Sequence, residues 1–295
     1  MNILITGADG QVGRDLKNNF NNINFKLFFF NKKELNLFDI KKLNQIIVKI
    51  NPSIIINCAA FTDVEKAETN KYNAFAINCR SVKNLALLCH LKDIYLIHFS
   101  SDFIFNGKKK KYYEEDEAIP LNFYGKSKYI GEKLIIQYMK NYLILRVSWV
   151  IGKHGNNFLK KIFNLLIESK EVKVVGDQIS NPTTTDTITK VVSMCCINYF
   201  NKNKKILNGT YNLCCEPSIS KYEFAKFIFN QLKAMNIIKH EINIIQTKTK
   251  DTKDIALRPL NSSLNTNKIR KKLEITEEMN WKKQIKKILT EINAQ

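Results

Sequence analysis

Short apolar runs alternate with longer amphipathic stretches through the first half of the chain. Residues 2–6, 25–30, 54–57, 94–99 and 142–147 are almost continuously apolar, the pattern of strands covered on both faces in a parallel sheet. Between them, residues 12–20, 40–50, 63–70 and 72–90, and a segment from just after Pro120 to about Tyr138, carry helical periodicity. This strand–helix alternation predicts an α/β fold with a doubly wound parallel sheet. Beyond residue 150 the alternation loosens. Helices are expected at 157–169, 186–200, 221–235 and 278–291, and short strands at 172–175 and 210–213.

The turn after the first strand is Gly7-Ala8-Asp9-Gly10-Gln11-Val12-Gly13, a G-x-x-G-x-x-G spacing between a strand and a helix. Glycine there permits backbone angles that other residues avoid and lets the main chain approach a phosphate. The helix N-terminus behind it offers N–H donors and a positive dipole end to a pyrophosphate. This context defines a Rossmann-type dinucleotide site. Residues 1–150, rejoined by about 186–213, are then the NAD(P)-binding domain, and 151–185 with 214–295 a smaller, discontinuous substrate-binding lobe. The second strand runs into Asn31-Lys32-Lys33 rather than into an acid. Ammonium groups suit a 2′-phosphate, which favours NADPH; the alternative is a solvated loop with Glu34 as the ribose acid and NADH as cofactor.

Tyr124 and Lys128 stand four apart, one turn apart on one helix face. A Lys ammonium beside a phenol favours the phenolate, lowers the phenol's pKa and makes Tyr124 a usable proton donor. Alone, such a pair is a weak signal and usually means only a solvated helix face. It gains weight from the glycine turn and from Ser100-Ser101-Asp102, which leaves the carboxyl end of a buried strand, where ligands sit in open α/β sheets. Together these residues predict an oxidoreductase acting on a carbonyl or hydroxyl. Tyr124 is the acid, Lys128 tunes it and holds the nicotinamide ribose, and Ser101 hydrogen-bonds the reacting oxygen. His98, inside that strand, reads as packed core.

Composition narrows the classes. The chain has 295 residues, 44% of them apolar, so it buries a full core. It has no run of 18 apolar residues and no basic leader, so neither a membrane span nor a signal peptide is expected. Seven cysteines without a C-x-x-C spacing read as buried thiols in a reducing cytoplasm. The net charge of +20 is scattered over helix faces, with its densest run at Lys108–Lys111. No nucleic-acid module accompanies it, so no nucleic-acid partner is expected, while a positive field suits a diphosphate substrate.

The motifs resemble those of the extended short-chain dehydrogenase/reductases, and within them the dTDP-4-dehydrorhamnose reductase family. The resemblance runs through Gly7–Gly13, Asn57-Cys58-Ala59-Ala60-Phe61-Thr62, Glu65-Lys66-Ala67-Glu68 and Ser100–Phe105. It continues with Pro120–Lys126, Arg146–Val150, Gly155–Phe158, Asp177-Gln178, Pro182-Thr183 and Arg258-Pro259-Leu260-Asn261-Ser262. It implies NAD(P)H-dependent reduction of a nucleotide-sugar ketone, dTDP-4-dehydro-L-rhamnose, at C4. By the same resemblance Gly10, Gln11, Val12, Ala60, Phe61, Thr62, Tyr124 and Lys128 contact the cofactor. Ser101, Asp102 and Trp149 face the sugar, and Arg258 is a candidate for the diphosphate.

Departures from the family's pattern are few. Ser101 stands where the family usually has Thr, which keeps the hydroxyl. Asn36, before Leu37, stands where it often has Asp, so adenine-side contacts lose a charge. Some members bind a divalent metal between subunits; the matching positions are Asp15, Asp186 and Glu291, an oxygen set suited to Mg²⁺, with surface acids as the alternative. A homodimer is compatible with all of this. Among rivals, a dehydratase would carry Glu where Phe103 stands. An epimerase would retain its cofactor tightly. A non-catalytic NADP-binding regulatory subunit has no need of an intact Ser101, Tyr124 and Lys128.

Overall fold

The computed structural model describes residues 1–20, 25–201, 206–277 and 279–294. The first half alternates strand and helix: β1 (Asn2–Thr6), α1 (Gln11–Asn19), β2 (Lys26–Phe30), α2 (Ile40–Ile50) and β3 (Ile54–Asn57). It continues with α3 (Val64–Thr69), α4 (Lys71–Phe75), α5 (Ser81–Leu91), β4 (Tyr95–Ser101), α6 (Phe123–Tyr138) and β5 (Tyr142–Val147). The second half holds β6 (Val150–Ile151), α7 (Phe158–Glu168), β7 (Glu171–Val175), β8 (Ile179–Ser180), β9 (Thr183–Thr184) and α8 (Thr185–Phe200). Then come β10 (Gly209–Asn212), β11 (Ile219–Ser220), α9 (Lys221–Ala234), β12 (Asn243–Thr247), α10 (Asn267–Lys272) and α11 (Trp281–Asn293). The last helix was expected from residue 278, and Glu278 lies outside the described residues.

The main sheet has the order β10-β5-β4-β3-β1-β2, and every pairing in it is parallel. Alternate residues of each strand feed opposite cores. Ile3, Ile5, Ile54, Ile56 and Ile97 join one apolar cluster; Leu4, Ile55, Leu96 and Ile144 join the other, with α2 and α5. Each such side chain contributes about 1.5–3 kcal/mol when fully buried, and the two-sided burial is why these strands read as unbroken apolar runs. The strand order reverses between β1 and β3, the switch point where ligands settle in sheets of this kind.

Several elements differ from expectation, among them the short strands β6, β8, β9 and β11 and the helix α10, none of which was expected. Residues 72–90 are not one helix: Ala76–Arg80 forms a wide π-helical turn between α4 and α5. The turn aims Asn78 at the Phe61 backbone, which donates to Oδ1 at 2.9 Å and accepts from Nδ2 at 3.1 Å, while Nδ2 also donates to Ser127 Oγ at 2.9 Å. Unexpected too is β12, half-exposed and parallel to β7. All seven cysteines carry free thiols, six of them buried. Among the described residues no helix is long and apolar enough to cross a membrane.

Candidate active site

Two clefts lie at the carboxyl ends of β1, β3 and β4, one lined by Gly10 and the other by Gln11 of the glycine turn. The first, about 210 Å³, lies at the switch point between the glycine turn, Lys32, Asn36, Leu37 and Ala60. A Cβ on Gly7, which has φ +67°, would meet Ala59 N at 2.5 Å, and one on Gly13 would meet Gly7 O at 2.4 Å. Only glycine lets the turn sit that close to β3. No side chain caps α1, so the N–H groups of its first turn, Gln11 to Gly13, face outward at the positive end of the helix. This cradle fits a dinucleotide pyrophosphate. Lys32 lines the cleft, whereas Glu34 accepts from Asn31 N at 2.9 Å and so serves the loop itself. Asn36 Oδ1 accepts from Phe38 N at 3.1 Å, a backbone role that needs no charge.

The second cleft, about 670 Å³, collects Ser101, Asp102, Tyr124, Trp149, Lys221 and Arg258. Gln11 and Thr62 also line it, and Gln11 Oε1 accepts from Asn157 Nδ2 at 2.8 Å. Val12 and Phe61 are partly buried supports beside these contacts. Trp149 has φ +35°, a left-handed backbone that is costly for so large a side chain and that typifies functional positions.

Tyr124 sits in the first turn of α6. Asn122 caps the helix, accepting from Gly125 N at 2.8 Å, and Phe123 N donates to Glu68 Oε1 at 2.6 Å. A Cβ on Gly125 would fall 2.1 Å from Phe103 O, so glycine is what lets the helix approach the Ser101 turn. The Phe103 ring meets the Tyr124 ring edge-on at 6.0 Å.

The electrostatics correct the expectation that Lys128 lowers the phenol's pKa. Burial pushes Tyr124 up to about 12; a hydrogen bond with Ser101 pulls the other way, and the Asp102 charge adds to the rise. Lys128 Nζ instead donates to Phe99 O at 2.7 Å. Burial brings Lys128 down to about 8, with Glu132 opposing. Asp102 accepts from Ser262 at 2.5 Å, Ser180 at 3.0 Å and Ser101 at 3.1 Å. Burial still pushes its carboxyl up to about 6 against those three hydroxyls. Asp102 therefore lines the cleft and also clamps Ser101 to β8 and to the segment after Arg258.

Arg258 is spent on two carboxylates, Glu65 at 2.8 Å and Asp254 at 3.0 Å. Lys221, which sequence reasoning missed, forms no ion pair with a described carboxylate. It donates to Gln178 Oε1 at 2.5 Å and lies 5.9 Å and 5.5 Å from the Trp149 and Phe158 ring centroids. Burial, with Arg258 and Lys161 nearby, brings it down to about 7. The sequence marks Ser220 and Glu223 as a helix start but carries no sign that Lys221 faces a cleft. Within one chain Asp15, Asp186 and Glu291 do not form a cluster: Asp15 lies 3.9 Å from His154, and Glu291 pairs with Lys153 at 3.5 Å. Among the described residues no group of three such side chains is placed to hold a metal.

A parallel sheet with a glycine cradle at its switch point, and Ser, Tyr and Lys above the next strand, defines an extended short-chain dehydrogenase/reductase. The profile described as RmlD substrate binding domain matches residues 1–294. A dTDP-4-dehydrorhamnose reductase of Aggregatibacter actinomycetemcomitans is 34% identical over 97% of both chains. That of Escherichia coli K12 is 31% identical over 99% of this chain and 98% of its own. Among solved structures, a dTDP-4-dehydrorhamnose reductase from Bacillus anthracis in complex with NADP superposes with a TM-score of 0.89 at 32% identity, covering 98% of this chain and 99% of that one. The chain belongs to the dTDP-4-dehydrorhamnose reductase family.

Proposed function

We propose that the protein reduces the C4 ketone of dTDP-4-dehydro-L-rhamnose to dTDP-L-rhamnose with NADPH. The observation that carries this reading is that Ser101, Asp102 and Tyr124 line one cleft together with Gln11 of the glycine turn. The NADP complex of the Bacillus anthracis relative supports the cofactor, and Lys32 in the first cleft supports the 2′-phosphate form. When bound, the cofactor supplies the hydride.

The chain's own residues do the rest. A phenol pushed up to about 12 stays protonated at neutral pH, so Tyr124 Oη enters the reaction as an acid. It gives its proton to the oxygen that develops at C4. The Ser101 hydroxyl, held by Asp102, orients that oxygen. Phe103 puts a ring where elimination would need a second acid. Trp149 forms the sugar wall, and Lys221, a cation over two rings, meets the diphosphate. In this reading the half built on 1–150 and 186–213 holds the cofactor, and 151–185 with 214–295 holds the nucleotide sugar. The Asp102 clamp keeps the two in register.

The test is loss of reduced-nicotinamide absorbance when the protein meets NADPH and dTDP-4-dehydrorhamnose, with NADH in parallel. Rapid loss with dTDP-rhamnose as product is expected. Cofactor binding without turnover would overturn the assignment of substrate or of activity.

A further inference from the structure

A buried polar chain that the proposed reaction does not use runs beneath the site. Thr6 ends β1, Asn57 ends β3 and His98 lies in β4, neighbours across the sheet and all fully enclosed. Thr6 Oγ1 donates to Asn57 Oδ1 at 2.7 Å, and Ala59 N donates to the same oxygen at 3.2 Å. A backbone N–H can only donate, which fixes that atom as the amide oxygen. The other end of the amide, Nδ2, therefore faces His98 Nδ1 at 3.0 Å. A donor at that position makes Nδ1 an acceptor, so the neutral ring carries its proton on Nε2. Burial and the nearby Lys128 charge hold His98 well below its usual pKa, so the ring stays neutral.

His98 Nε2 lies 3.5 Å from Lys128 Nζ, at the outer limit of a hydrogen bond. An ammonium has only donors, and an Nε2–H aimed at it sets hydrogen against hydrogen. A free amine has a lone pair to receive that proton, and can still donate to Phe99 O. The other titratable groups acting on Lys128 are Glu132 on its own helix and Cys79 on the π-helical turn. Cys79 stays a thiol, pushed up to about 12 by burial. Glu132 favours the ammonium, but its carboxylate is held by Arg146 at 2.8 and 3.0 Å.

We infer that His98 is a positioning residue whose tautomer, set by Asn57, holds Lys128 poised to release its proton. Lys128 is then a switchable amine rather than a fixed cation. This rests on the assignment of Lys128 to the active site.

The test needs no substrate. Full-length protein labelled with ¹⁵N in His and Lys is titrated by NMR from about pH 6 to about pH 10, a window spanning both ring and amine. His98 should remain neutral with its proton on Nε2, and Lys128 should titrate near 8. Asn57→Asp keeps an acceptor for Thr6 and Ala59 but offers His98 Nδ1 a second one. The tautomer should flip, Nε2 should accept from the ammonium, and the Lys128 midpoint should rise by about one unit or more, tenfold in proton affinity. His98→Phe removes both ring nitrogens without adding charge and should also raise it, by less. A wild-type ring protonated on Nδ1, or a Lys128 midpoint unmoved in both folded variants, would overturn the inference. A wild-type protein that fails to reduce the nucleotide sugar would count against the proposed function alone.

Discussion

Replacing Lys221 with Met should weaken substrate binding and stabilise the fold at once. The ammonium sits over the Trp149 and Phe158 rings with a single amide oxygen for partner. A charge-assisted hydrogen bond to a diphosphate is worth about 1.5–3 kcal/mol, so KM for the nucleotide sugar should rise about 10- to 150-fold. The diphosphate is equally charged before and during hydride transfer, so kcat should change little. In the wild type, KM should rise as pH climbs through about 7, where Lys221 loses its charge. Stability runs the other way. A lysine lowered from 10.5 to about 7 binds fewer protons folded than unfolded across that window. It therefore destabilises most below pH 7, and stability recovers as pH rises toward 10.5. Lys221→Met should melt higher, with the gain largest at acid pH and fading toward 10.5. Steady-state kinetics and thermal melts at several pH values check both halves. A KM within twofold of wild type, or a melting temperature lowered at acid pH, would refute the reasoning.

Three further outcomes are expected. Tyr124→Phe should bind cofactor normally by fluorescence yet lose about 10²- to 10⁴-fold in kcat, the usual worth of a positioned acid. Lys32→Ala combined with Lys33→Ala should raise KM for NADPH more than for NADH; an equal change would remove Lys32 from 2′-phosphate recognition. Arg146→Met strands the fully buried Glu132 carboxylate, which the guanidinium now grips at 2.8 and 3.0 Å. It should cost about 3–5 kcal/mol in urea unfolding near neutral pH, and a loss below 1 kcal/mol would show the pair to be dispensable.

The sheet was legible because β1, β3, β4 and β5 are buried on both faces, and such strands write themselves as apolar runs. The π-helical turn was not, because helical periodicity continues through residues 72–90. The turn aims Asn78 at Phe61 and Ser127, partners 17 and 49 residues away that local periodicity cannot reveal. Strand β12 was missed for a related reason: it is short, half-exposed and defined only by its pairing with β7. At the site, spacing singled out Tyr124 and Lys128, but it led to the wrong sign for the phenol, which burial pushes up. Spacing places two side chains on one face and says nothing of a carbonyl such as Phe99 O that captures one of them.

Charge shows the same limit more sharply. A net +20 suggests a positive cleft, and Arg258, in a family-specific segment, reads from sequence as its anchor. In the fold Arg258 reaches Glu65, 193 residues away, and Asp254, one helical turn away in sequence, and its charge is consumed in holding the cleft's rim. Lys221, in no recognised motif, is left with an amide, two rings and no described carboxylate. An anion entering the cleft gains more from a cation such as Lys221 than from one already neutralised by carboxylates. Which cation that is depends on pairings between distant segments, so a count of lysines and arginines cannot reveal it, whereas the contacts around Lys221 and Arg258 can.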